Sequence, residues 1–452
     1  MVAQESAQSE LAAIVGSAHI DADQAACQAA AVDGVVPKCV VSPQSAEEVA
    51  AVLKCAADHD RAVIPFRNCT KLEIGNRPKR YDIGLSLKVL NRVWYYEPDD
   101  LTMTVEPGIK LGDLQRLLAR HRLWLPLDPP GGEGASLGGI LAANASGPLR
   151  LSYGTARDMV VGMKIATADG KLVSTGGRVV KNVAGYDLSK LLIGSFGTLG
   201  VIVGINLKLF PLPDGMKTFA LCVPTLDMAR DLRRKIVHSA LTPIRMVYVD
   251  CSGGLQPSTG QGLQIAAPSD KPFLLMQAAG SKRVLERYSS TLNELTSVTG
   301  TRLEDVDDTQ AANVWEWVSD FRLRVAAKVS DALVMRTSVL MSSAEDFVAA
   351  VKGECERAQF GADLVVQSGS GVVQVCVHGF DSDEPAVKLV EQLRKAAMAQ
   401  QGALLVERCR AELKDRLDVW GLPGDACQIM RELKKAWDPK GTLAPGRFVG
   451  GI

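Results

Sequence analysis

An α+β protein of two domains is what this sequence predicts, on three observations. At 452 residues the chain exceeds what one hydrophobic core usually organises. From residue 35 to 213, helix-period and strand-period apolar patterns alternate between short turns rich in Gly and Pro. From 214 to 408 the order strand, helix, strand, strand, helix occurs twice, the pattern of an antiparallel sheet with helices on one face. The divisions that follow are an N-terminal extension 1–33, a first domain 34–213, an α+β second domain 214–408 and a C-terminal segment 409–452 that returns to the first domain.

Residues 1–33 read as a short polar helix and a linker. In VVSPQSAEEVAAVLKCAADHDRAVIPF, Ser45 and Glu48 form a capping box, and Val49, Val52, Leu53 and Ala56 recur at helical spacing. Apolar runs at 35–41 and 62–66 flank that helix as strands, giving a β-α-β unit whose second strand runs into a loop, the usual place for a phosphate-binding turn. The loop reads PFRNCTKL, without a single glycine.

The next unit, LTMTVEPGIKLGDLQRLLARHRLWLPLDPPGG, is an alternating strand closed by Glu106-Pro107-Gly108 and a helix with Leu114, Leu117 and Leu118 on one face. Ser136-Leu137-Gly138-Gly139 then places a hydroxyl and bare backbone at the start of an Ala-rich segment. Such a turn either brings peptide N–H groups against an anion or flat ring, or packs a helix tightly. Asp187 caps a short helix carrying Leu188, Leu191 and Leu192, Gly194, Gly197 and Gly200 punctuate the way into a strand from Val201, and Pro211 and Pro213 close the domain. In the second domain, a helix capped by Ser342 with Glu345 follows the strand ALVMRTSVL, and Trp315, Trp317 and Phe321 read as helix core.

Composition narrows the function. Lys plus Arg (51) balances Asp plus Glu (51), so nothing points to nucleic acid or an anionic membrane surface. Ten Cys are scattered without any C-x-x-C, as expected of reduced cytosolic thiols, and no metal site is expected. The N-terminus lacks the basic head of a signal peptide, and no stretch has the ~18 apolar residues of a membrane span. A cytoplasmic protein with a small-molecule or protein partner is the expectation.

In order, VVSPQSAEEVAAVLKCA, VEPG, SLGGILAANASGP, YGTARDMVVGMKIATADG and GYDLSKLLIGSFGTLGVI resemble the PCMH-type FAD-binding domain of the vanillyl-alcohol oxidase superfamily. GGRVVKNVAGYD and the C-terminal MRELKKAWDPKGTLAPGRFVGGI are most similar to the smaller FAD-binding subunit of bacterial glycolate oxidase. The resemblance implies FAD held between two α+β subdomains beneath a cap domain. It also implies a catalytic FAD-dependent partner subunit and an iron–sulfur subunit, through which the chain would reach the inner membrane, and a small 2-hydroxyacid as substrate. By the same resemblance the FAD-binding residues are Pro65, Arg67, Asn68, Cys69, Thr70, Pro129, Ser136, Gly138, Gly139, Asn144, Gly147, Gly200, Val201 and Ile202. No His sits in these motifs, so the FAD is expected to be non-covalent.

Where the family reads P-R-G-G-G-T-K-L, this chain has Phe66, Arg67, Asn68 and Cys69 in place of Arg-Gly-Gly-Gly. Either Arg67 supplies a cation for lost backbone contacts, or the subunit binds FAD weakly or not at all. Arg322 and Arg336 can reach a carboxylate, and His378 stands at a strand end, but neither a paired-His site nor a general base is recognisable. Three functions remain open: an FAD-binding accessory subunit, a self-sufficient 2-hydroxyacid dehydrogenase, and a scaffold whose flavin site has decayed.

Overall fold

The computed structural model describes residues 2–177, 187–251, 271–421 and 424–452. Residues 178–186, which hold most of the GGRVVKNVAGYD motif, lie outside them.

The first domain is built on two sheets. In the smaller, Cys39–Val41, Ile83–Ser86 and Val63–Phe66 run parallel in that order, and Ile20–Asp21 adds antiparallel to Cys39–Val41. The N-terminal extension is therefore more than a helix and a linker: helices Val2–Val15 and Gln24–Ala29 flank a strand that joins the sheet. The larger sheet is antiparallel, in the order Val93–Glu97, Thr102–Val105, Val201–Lys208, Val160–Ala166, Leu172–Gly176. Helix Ala46–Asp58 lies between the sheets, its Val49, Val52, Leu53 and Ala56 buried with Val41, Val63, Ala166 and Val203. Half of its expected capping box forms: the Glu48 amide donates to Ser45 Oγ (3.1 Å), but the Glu48 carboxylate accepts from the Gln44 amide (2.8 Å) instead of that of Ser45.

The second domain is one eight-stranded antiparallel sheet, to which each half contributes four strands; Arg245–Asp250 against Gly361–Gln367 joins them. One face carries helices Leu226–Val237, Lys282–Thr299, Ala344–Ala358 and Asp383–Ala399. The other face is covered as well, by Asp308–Ser319 and Phe321–Lys328, which bury Trp315, Trp317 and Phe321 against Val247, Val249, Leu275 and Val365. The expectation of helices on one face is thus corrected. Runs such as RMVYVD and PFLLMQAA are apolar at successive positions, so both faces need cover.

The expected cap at Ser342 is also replaced. The helix starts after Ser343 with no side-chain cap, and the Glu345 carboxylate turns inward to take two bonds from buried Arg233, Nε–Oε1 at 2.6 Å and Nη2–Oε2 at 2.9 Å. A bidentate ion pair out of water outcompetes an exposed N-cap worth about 1 kcal/mol.

The C-terminal segment comes back to the first domain. Helix Ala426–Trp437 is followed by Thr442–Ala444, which pairs along Val63 at the edge of the parallel sheet: Val63 N donates to Thr442 O (2.7 Å) and Ala444 N to Val63 O (2.9 Å). Asp438 holds the turn by accepting the Thr442 and Leu443 amides.

The Arg233–Glu345 pair makes a prediction. Glu345→Ala leaves a buried, unpaired guanidinium and should cost about 3–5 kcal/mol, whereas Arg233→Met combined with Glu345→Leu should be close to neutral. Urea unfolding of the three proteins checks this; a single variant within ~1 kcal/mol of the parent would show the pair to be solvated.

Candidate functional site

The loop after Val63–Phe66 is held from behind. Buried Arg322 donates to the Thr70 carbonyl (2.7 Å), buried Arg447 to those of Leu72 (2.7 Å) and Ile74 (2.6 Å), and buried Lys414 to those of Glu73 (2.5 Å) and Gly75 (3.1 Å). Burial pushes the Arg447 guanidinium down to about 10, and Asp33, 2.9 Å from Lys414 Nζ and 3.7 Å from Arg447 Nη1, holds both charges in place. With these carbonyls drawn away, the peptide N–H groups of Arg67 to Lys71 donate to no backbone carbonyl among the described residues. Cys69 adopts φ +57°, the left-handed turn for which a glycine is the usual residue. A run of such amides around a left-handed residue is a concavity for an anion.

The side chains that replaced the glycines brace the loop. Arg67 Nε donates to the Gly108 carbonyl (3.0 Å) and its Nη1 to Asn68 Oδ1, while Asn68 Nδ2 donates to the Gly134 carbonyl.

Opposite stands helix Leu137–Ala142, capped by Ser136, whose Oγ accepts from the Gly139 amide (3.4 Å). The two glycines do different work. The Gly138 amide donates to the Pro107 carbonyl (2.8 Å), and a Cβ there would stand 2.7 Å from Pro107 Cβ and 3.1 Å from its carbonyl oxygen. A Cβ on Gly139 would meet only the Ser136 hydroxyl, at 3.2 Å, because this residue faces open space. Gly138 therefore packs the helix and Gly139 lines the cleft. Ser195–Gly197 and Gly200–Ile202 form the third wall, with Gly197 so close to Pro65 that a Cβ would lie 2.9 Å from its ring.

The cleft lies between these three walls. Mostly apolar walls beside a row of amides suit a flat ring system joined to a pyrophosphate, so the residues fit FAD. Pro65, Arg67, Asn68, Cys69, Thr70, Ser136, Gly138, Gly139, Gly200, Val201 and Ile202 line it. Three expected residues stand elsewhere. Pro129 lines a second cavity between the domains, and Gly147 packs on Asp128, whose carbonyl a Cβ would meet at 2.0 Å. Asn144 sits behind Ala143, at φ +45° with its Oδ1 buried and without a hydrogen-bond partner. Lys71, absent from the expected set, does line the cleft; burial, then Arg322, push its ammonium down to about 8.

A second group of polar side chains gathers where the uncrowded end of the cap sheet approaches the first domain. Arg336 Nε donates to Glu407 Oε1 (2.8 Å), and Gln374 stands opposite Arg336 on the neighbouring strand. Arg150, half-buried, has no hydrogen-bonded anion among the described residues; burial first and the Arg336 charge second push its guanidinium down, with Asp158 acting only at longer range. Glu407 Oε2 is buried without a hydrogen-bond partner, 3.8 Å from Arg322 Nε. Two of the three expected catalytic candidates are placed otherwise than free. Arg322 is consumed by Glu73 and the Thr70 carbonyl, and His378 pairs with buried Asp363 (3.3 Å), four residues and roughly 13 Å along the strand from Gln374. Arg150, Gln374 and Glu407 were missed because no local pattern marks them.

Comparison with known proteins agrees with this geometry. Residues 37–176 match the FAD binding domain family, and residues 212–448, just over half of the chain, match the C-terminal domain of FAD linked oxidases. The chain is 26% identical to the glycolate oxidase subunit GlcD of Bacillus subtilis (strain 168), over 91% of this chain and 89% of that one. It is also 26% identical to the mitochondrial D-lactate dehydrogenase [cytochrome] of Arabidopsis thaliana, over 92% of this chain and 74% of the relative. Among solved structures, p-cresol methylhydroxylase with substrate bound superposes with a TM-score of 0.79 at 17% identity, covering 99% of this chain and 97% of the other, a likeness of fold.

The two glycines give a paired test. Gly139→Leu should abolish FAD binding while the flavin-free chain keeps its melting temperature, because the side chain enters the cleft without touching protein backbone. Gly138→Leu should lower the melting temperature of the flavin-free chain, because it drives into Pro107. Normal flavin content in Gly139→Leu would place FAD elsewhere. For the loop, Cys69→Gly should stabilise the flavin-free chain by up to about 1 kcal/mol, since a left-handed L-residue costs ~1–2 kcal/mol, and should leave FAD affinity within a few-fold. Calorimetric titration of FAD into both proteins reads the affinity; a large loss on Cys69→Gly would mean that the cysteine itself holds the loop.

Proposed function

The chain belongs to the FAD linked oxidases, and from that premise we propose that it oxidises a small 2-hydroxyacid as the FAD-binding subunit of a glycolate-oxidase-type dehydrogenase. The observation that carries the substrate class is Arg150 beside Arg336: the Arg336 charge acts on Arg150, and Glu407 bonds Arg336 while no anion is hydrogen-bonded to Arg150 among the described residues, which leaves positive charge for an anionic ligand to neutralise. FAD, when bound, supplies the two-electron acceptor.

The chain's own groups divide the remaining work. Glu407 holds Arg336 through Nε, so the outer edge of that guanidinium and Arg150 take the substrate carboxylate and fix its orientation. Glu407 Oε2, which accepts no hydrogen bond and lies 3.8 Å from Arg322 Nε, accepts the proton of the substrate hydroxyl, the base that no His of this chain provides. Trp315, Trp317 and Phe321 close the sheet face behind this group against water.

The family names of the relatives support this chemistry: each of the two curated ones is named for a 2-hydroxyacid. The complex rests on the resemblance to the smaller glycolate oxidase subunit, with a catalytic flavoprotein and an iron–sulfur subunit as partners in the cytoplasm. No described helix is long and apolar enough to cross a membrane. An intact arginine pair favours a second reading, in which the isolated chain turns over by itself.

Steady-state oxidation of D-lactate and glycolate with an artificial acceptor, by the chain alone and co-expressed with its partners, separates the two. Arg336→Met should lower kcat/KM about 10- to 100-fold through a raised KM, the loss of one hydrogen bond to a charged group, with flavin content unchanged. Glu407→Gln should lower kcat more than it raises KM. Kinetics indifferent to Arg336→Met would sink the substrate site.

A further inference from the structure

In the first domain, three side chains converge that neither the flavin site nor the cap uses. Cys55 and His59 stand four apart on helix Ala46–Asp58 and its C-cap, hence on one face, and Glu10 reaches them from helix Val2–Val15. Cys55 Sγ is 3.6 Å from Glu10 Oε2 and 3.8 Å from His59 Nδ1, and His59 Nε2 is 3.5 Å from Glu10 Oε1. One donor atom from each residue lies within 4.8 Å of the other two.

We propose that Glu10, Cys55 and His59 form a zinc-binding site that staples the N-terminal helix onto the FAD-binding domain. Zinc–nitrogen and zinc–oxygen bonds of about 2.0–2.1 Å and zinc–sulfur bonds of about 2.3 Å put tetrahedral ligand atoms roughly 3.3–3.6 Å apart, and Cys55 Sγ and His59 Nε2 already stand 3.6 and 3.5 Å from the Glu10 carboxylate. The donor set, one thiolate, one imidazole and one carboxylate, is that of a borderline-soft divalent ion rather than of calcium or magnesium. His59 has the outer partner such a ligand needs. Its Nδ1 lies 2.9 Å from the Cys55 carbonyl, so a proton there fixes the tautomer and leaves Nε2 as electron-pair donor towards Glu10.

Charge is consistent with one divalent ion. On binding, the thiol proton leaves to solvent, and thiolate plus carboxylate offset the two positive charges, while the neighbouring Lys54–Asp58 pair (2.8 Å) cancels itself. Sγ belongs to a buried residue, whereas the Glu10 side chain is about half exposed, at 55%, which leaves room for a water as fourth ligand. The hydrophobic contact is already made, since Leu11 and Val15 pack with Val49 and Val52. The metal would add a bond to the free end of that contact. This goes against the expectation of no metal site, which rested on the lack of paired cysteines.

The test uses the full-length chain, purified without a histidine tag, stripped with chelator and titrated with zinc against a chromophoric competitor, with cobalt as a spectroscopic substitute. The expected results are one zinc per chain, a sulfur-to-cobalt charge-transfer band, and a melting temperature raised by zinc. Cys55→Ser should abolish the band, and Cys55→Ser, His59→Gln and Glu10→Gln should each weaken zinc by at least about 10- to 100-fold, the cost already set by losing an outer partner. Glu10→Gln changes a half-exposed side chain, so it decides the matter if a helix variant fails to fold. Absence of stoichiometric zinc, or zinc affinity unchanged in Glu10→Gln, overturns the site.

Discussion

The loop that walls the flavin cleft is held because the carbonyl groups of Thr70 and of residues 72 to 75 are taken by buried cations. Arg322, Arg447 and Lys414 arrive from three different parts of the chain, and each donates to main-chain oxygen of this one loop. A buried guanidinium or ammonium left without such acceptors would cost several kcal/mol, so the loop and its cations require one another. The peptide N–H groups of Arg67 to Lys71, donating to no backbone carbonyl among the described residues, are thereby left for a ligand. A glycine-rich loop reaches that state through conformational freedom; here the same state is imposed from outside, and the turn tolerates Arg67, Asn68 and a left-handed Cys69.

The consequence reaches all four segments of the protein. Asp33 of the N-terminal extension neutralises Lys414 and Arg447, the C-terminal strand adds to the edge at Val63, and the cap contributes Arg322 through a helix that also seals the second face of its sheet. The same helix leaves the neighbouring strands to present Arg336, Gln374 and Glu407, which sets the polar group beside the cleft rather than within it. A fold shared with p-cresol methylhydroxylase at 17% identity does not say which molecule is oxidised.

Much was legible locally. The caps at Ser45, Ser136 and Asp187 form because a side chain and an amide two or three residues away need nothing else. Most of the expected FAD residues line the cleft for a related reason, since they occupy two short turns whose shape is local. Ser342 failed as a cap because Glu345, its would-be partner, had a better anion site beside Arg233, 112 residues distant. Pro129 and Gly147 belong to the family pattern, yet here Pro129 lines the second cavity and Gly147 packs on Asp128.

The sequence by itself determined the two-domain α+β architecture, the order of its elements and the FAD family, because apolar periodicity and turn chemistry act over a few residues. Tertiary structure alone decided which charges became scaffolding and which remained for a ligand. Lys414 meets Glu73 across 341 positions and Arg447 meets Leu72 across 375, while Arg322 and Arg336, neighbours in sequence and alike in type, part company because one finds the Thr70 carbonyl and the other only Glu407. The charge of an arginine is written in the chain; its partner is chosen by burial, which depends on every element that packs around it.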